Sequence, residues 1–136
     1  MREILFRGKR LDNGEWVKGF ITAACARARR LYFIEQPAQD LDDCNHSYEV
    51  DFTTVGQYTS MLDKNGNKIF EGDILKFVND DSETSYYDVA YSETDCRWII
   101  RENGSIPDDL DDFVNKYMSV VGNVYDNPEL LKGALK

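Results

Sequence analysis

Turn signals punctuate this chain between extended segments. Asp12-Asn13-Gly14, Asp63-Lys64-Asn65-Gly66-Asn67, Glu71-Gly72-Asp73 and Asn103-Gly104 each place glycine or asparagine where a tight turn needs positive φ. Apolar and polar residues between these points mostly alternate with period two, the pattern of a half-buried strand. The chain therefore reads as many short strands joined by hairpins.

Ile4 and Phe6 alternate with Leu5 and Arg7 ahead of the first turn, and residues 15–22 return as the second strand. Trp16, Lys18 and Phe20 share one face of it, Val17 and Ile21 the other. A further pairing is predicted between 20–26 and 31–35, closed by Gln36-Pro37 because proline cannot donate to a ladder. Residues 38–48 read as an acidic linker. Extended segments are predicted at 49–58, at 74–78, and around Tyr87, Val89 and Tyr91 with 97–101 as hairpin partner.

One helix is predicted from a capping-box-like Ser105-x-x-Asp108, with Ile106, Leu110, Phe113, Val114 and Tyr117 as its apolar stripe. Asp108 and Asp109 would complement its dipole. A strand at 118–125 follows, with Gly122 at a bulge or close approach. Asn127-Pro128-Glu129 then opens a terminal helical turn. The fold class is mainly β with minor α. It comprises an N-terminal antiparallel sheet (1–37) and a small SH3-like barrel carrying one helix. The domains would be 1–48, including the linker, and 49–136, or a single intertwined domain.

At 136 residues with 42% hydrophobic and 30% charged side chains, the chain can bury a core without metal or disulfide. Its net charge of −9 argues against nucleic-acid binding over the whole surface. Its apolar runs are shorter than the roughly 20 residues a membrane helix needs. The start, with Arg2, Glu3 and Arg7 around its apolar run, does not read as a signal peptide. Cys25, Cys44 and Cys96 are odd in number and widely spaced, so unbridged thiols in a reducing cytoplasm are expected. His46 is the one histidine. With Cys44 it offers two ligands, short of a closed zinc site, so neither metal nor cofactor is expected.

The loop from Asp63 fails as a calcium site, because Lys68 and Ile74 stand where an EF-hand needs glycine and glutamate. Asp80, Asp81, Glu83, Asp88, Glu93 and Asp95 form an acidic run that reads as a solvated face more readily than as paired catalytic carboxylates. Glycine-rich phosphate loops and hydrolase signatures are missing from the sequence.

Charge is distributed unevenly. Residues 1–30 carry eight Lys and Arg against three acids, a net of +5, which leaves −14 for the rest. Arg27, Arg29 and Arg30 on one side, and Asp108, Asp109 and Asp111 on the other, are the candidate interaction residues. They suggest a homo-oligomer in which basic and acidic surfaces of neighbouring copies meet.

Three ordered blocks stand out along the chain. The first is Arg2-Glu3-Ile4-x-Phe6-Arg7-Gly8-Lys9-Arg10-Leu11-Asp12-Asn13-Gly14-Glu15-Trp16-Val17. The second is Tyr48-Glu49-Val50-Asp51, Thr54-Val55-Gly56-Gln57-Tyr58-Thr59, Asp63-Lys64-Asn65-Gly66 and Glu71-Gly72-Asp73-Ile74, and the third is residues 121–131. In this order the motifs resemble the YopX family of phage and prophage proteins. Ser60, Leu62 and Phe70 depart from it, where the family pattern has glycine, lysine and tyrosine. The resemblance implies a mainly β fold, a phage or prophage origin and a cytoplasmic setting. It implies no reaction.

The expectation is a non-catalytic phage accessory protein acting through self-assembly or contact with a host or phage protein, with no membrane partner. One alternative is nucleic-acid association through the basic N-terminal sheet, with Tyr32 and Phe33 beside the arginines. A weaker one is a carboxylate-based enzyme.

Overall fold

A computed structural model describes residues 2–26, 29–36, 46–102 and 106–133. The protein is mainly β, with two short helices among the described residues, and its strands form antiparallel sheets. By compactness the chain divides into Met1–Tyr58 and Thr59–Lys136.

The first unit contains β1 (Phe6–Arg10), β2 (Trp16–Ala26), β3 (Arg29–Gln36) and most of β4 (His46–Leu62). Gly14, at φ 74, makes the β1–β2 turn that the Asn-Gly pair predicts. β2 and β3 pair antiparallel as expected, with Phe20 opposite Glu35 and Ala24 opposite Leu31, but Arg29 and Arg30 already belong to β3 rather than to the connection. The predicted linker at 38–48 lies outside the described residues up to 45, and 46–48 already belong to β4.

β4 pairs with β3 and also with β1, so the four strands close into a ring. Val17, Ile34 and Val50 are buried on its inner face, with Phe6, Ile21 and Tyr48 packed around them. Full burial of each such aliphatic is worth roughly 1.5–3 kcal/mol. Phe20, on the opposite face of β2, is 53% exposed. Ring closure needs a break in register, since Arg7 faces Gly56 but Lys9 faces Asp51. At that break the Lys9 N–H donates to Thr54 Oγ1 at 3.0 Å, and this hydroxyl donates to the Asp51 carbonyl at 2.6 Å. A side chain thus replaces a missing rung of the ladder.

The second unit contains β5 (Lys68–Phe70), β6 (Asp73–Val78), β7 (Thr84–Ser92), β8 (Arg97–Arg101), β9 (Asp108–Asp109), α1 (Asp112–Tyr117), β10 (Ser119–Asn123) and α2 (Glu129–Gly133). β5 pairs with β4, while the other strands form one antiparallel sheet in the order β10-β6-β7-β8-β9. Ile69, Leu75, Val89, Ile100, Val114 and Met118 form its buried core. Gly122 is both expected things at once. The β10 register shifts beside it, and a Cβ there would lie 2.4 Å from Asn127 Oδ1.

The predicted helix is corrected. It begins at Asp112 rather than near Ser105, which lies outside the described residues. Asp108 and Asp109 are extended and pair with Ile100 and Ile99 of β8, so their backbone groups serve a sheet ladder instead of a helix. Ile106 is 87% exposed and takes no part in the apolar stripe.

Candidate functional site

Helix α1 is short, and its sequence dictates where it starts. Asp111, in extended conformation, accepts the Phe113 N–H at 3.0 Å through its side chain and so caps the first turn. Asp112 in the first turn and Lys116 in the last complement the dipole. The single apolar stripe expected from the sequence separates into two. Leu110, Val114 and Met118, spaced by four, turn to the core. Phe113 and Tyr117, also spaced by four, are 44% and 54% exposed on a different flank.

That second flank borders a cleft of about 470 Å³ over the sheet. Phe77 of β6, Tyr87 of β7 and Phe113 supply its aromatic walls, and Val114 and Met118 its base. Asp108, Asp109 and Asp111 also line it. A neighbouring cavity of about 460 Å³ uses Phe77 and Phe113 again and adds Val78, Asp80 and Tyr117. The Phe77 and Phe113 rings, 5.1 Å apart, line both cavities, and Tyr117 continues the row 4.9 Å from Phe113. Among the described residues, neither cavity is lined by lysine or arginine.

Electrostatics inside the cleft follow from this lining. Burial raises the Tyr87 pKa above its ordinary value. The Glu102 carboxylate, hydrogen-bonded to the phenol, adds to that shift, and the Asp108 charge adds a smaller share. Asp109 is ion-paired with Arg97 on the rim.

The three predicted aspartates are thus gathered on one cleft. Arg30 lies on β3 of the other unit, exposed, with its guanidinium hydrogen-bonded to the Tyr32 and Cys25 side chains. Arg27 and the Arg29 side chain lie outside the described residues. Three other cations of the first unit, Arg7, Lys9 and Arg10, lean on its own aromatics. Arg7 lies 4.9 Å from the Trp16 ring and Lys9 5.9 Å, and Arg10 sits 4.4 Å over Tyr48. Sequence reasoning missed Phe77 and Tyr87 as cleft walls. The available signal was the Leu110, Val114, Met118 spacing, which accounts for the core contact by itself and leaves Phe113 and Tyr117 over.

The acidic run from Asp80 to Asp95 is spread along the β6–β7 turn, β7 and the β7–β8 turn. Asp88 pairs across to Arg101 at 2.6 Å, and Asp95 to Arg97 at 3.5 Å. Among the described residues, no three potential ligands converge on a metal position. Cys25 and Cys96 are exposed and unbridged, and Cys44 lies outside the described residues. No described helix is long and apolar enough to cross a membrane.

The YopX protein family model matches residues 5–132. The chain belongs to the YopX family. A solved structure, protein EF1440 from Enterococcus faecalis, is similar to this YopX-family chain at a TM-score of 0.58 and 21% identity. The match covers 96% of this chain and 99% of that one. At this identity the likeness concerns the fold. No curated protein matches.

Proposed function

We propose that this chain is a non-catalytic phage or prophage accessory protein that works in the cytoplasm by contact with another protein. One observation carries the reading: Phe113 and Tyr117, half-exposed, extend a row from the partly buried Phe77 beside three aspartates. Clustered exposed aromatics mark protein contacts, because they bury large rigid surfaces at low entropic cost. Nucleic acid is the poorer occupant for this surface, since carboxylates repel phosphates.

The test is photocrosslinking in cells that carry the native gene. The crosslinker p-benzoylphenylalanine is placed at Tyr117, and at Phe20 of the first unit for comparison. Protein adducts from position 117 support the reading. Adducts to nucleic acid from position 20, with none to protein from position 117, would favour the basic N-terminal sheet instead.

A further inference from the structure

We infer that the cleft beside α1 receives a segment of a partner protein carrying an arginine or lysine next to an apolar side chain. This rests on the protein-contact reading above and adds the chemistry of the partner.

Two observations combine. The walls are aromatic, and the charged groups on them are carboxylates, with no cation lining either cavity among the described residues. Arg97 already matches Asp109, so Asp108 and Asp111 are the charges left to draw an occupant. A guanidinium suits both parts of such a site, because it stacks on an aromatic face while donating to a carboxylate. The same molecule contains that arrangement. Arg10 lies 4.4 Å over the Tyr48 ring while donating to Asp12 at 2.9 and 2.6 Å.

The second cavity explains why an apolar neighbour belongs beside the cation. It shares Phe77 and Phe113 with the first, and Val78 and Tyr117 extend its apolar lining. A segment crossing the Phe77–Phe113 pair places one side chain in each cavity. A free small cation would leave the second unfilled.

The experiment selects a yeast-displayed library of random decapeptides on the immobilised full chain. An enriched peptide is then titrated into wild type and into Asp108→Asn/Asp111→Asn. Asparagine keeps the cap of α1, so that variant removes charge and leaves the helix start intact. Expected results are enrichment of arginine or lysine beside an apolar residue, amide shifts at Phe77, Ile100 and Phe113, and at least tenfold weaker binding to the variant. Binding should also weaken with salt.

Enriched acidic or neutral peptides that shift the same amides would overturn the cationic assignment while leaving the protein-contact reading standing. Peptides that bind elsewhere would overturn the assignment of this cleft. Sedimentation velocity covers the remaining occupant. A concentration-dependent dimer lost in Arg30→Glu and displaced by the peptide would assign the cleft to a second copy, and would overturn the separate-partner inference.

Discussion

Asp63 Oδ2 accepts the Val120 backbone N–H at 2.9 Å, linking the turn after β4 to β10 across 57 residues of sequence. Its Oδ1 takes the N–H groups of Asn65 and Asn67, each at 2.9 Å, so one carboxylate shapes the Asn-Gly turn and holds β10. Asp63 is 2% exposed. Burial by itself raises its pKa, but the hydrogen bonds from Val120, Asn67 and Asn65 outweigh that and hold it below its ordinary value.

A pH dependence follows. A carboxyl whose folded pKa is depressed contributes stability above its unfolded pKa, and this contribution is lost as pH falls through the folded value. Stability should therefore decline below about pH 4. In Asp63→Asn the amide nitrogen cannot accept from Val120, so the variant should lose about 1–3 kcal/mol at neutral pH. It should also lack Asp63's share of the acid-induced decline. Urea unfolding at pH 7 and pH 3.5 checks both, and parallel pH curves for the two proteins would refute the assignment.

One position in each unit offers a backbone substitution, and the two act in opposite directions. A Cβ on Gly19 would lie 2.3 Å from the Glu35 carbonyl oxygen, a backbone atom of the closed ring. Gly19→Ala should cost about 1–3 kcal/mol or more, as overpacking does. Ser60 holds φ 73, a region where glycine is favoured. Ser60→Gly should be neutral to stabilising by up to about 1 kcal/mol. Thermal melts of both variants decide whether this backbone is as described.

At the helix start, charge and cap can be separated. Asp111→Ala should destabilise by about 0.5–2 kcal/mol, and Asp111→Asn by much less, because either oxygen-bearing side chain accepts from Phe113. Equal melting temperatures for the two variants would show that the cap contributes nothing.

Strand segmentation was legible because its signals are local. Asn13-Gly14 and Asn65-Gly66 carry their own turn chemistry, and alternation identifies the flanking segments. Ring closure of the first unit was not legible. It depends on Lys9 meeting Thr54 across 45 residues, and no period in the sequence reports such a contact. The helix starts later than local rules place it, for a related reason. Asp108 and Asp109 suit a helix N-terminus by local rules, but pairing with β8 captures them. The acidic half of the cleft could be read from the chain, whereas Phe77 and Tyr87 reach it only through the sheet.

Protein contact at the Phe77–Phe113 cleft can be tested in cells. The most direct measurement places the photocrosslinker at Val78, on the adjoining cavity, and compares adduct yield in cells for otherwise wild-type chain, Phe113→Ala and Phe20→Ala. Melting temperatures are recorded alongside to confirm that each variant is folded. Adducts to protein that disappear with Phe113→Ala and persist with Phe20→Ala are the predicted result. Adducts that survive Phe113→Ala undiminished, or fail to form in the wild type, would contradict it.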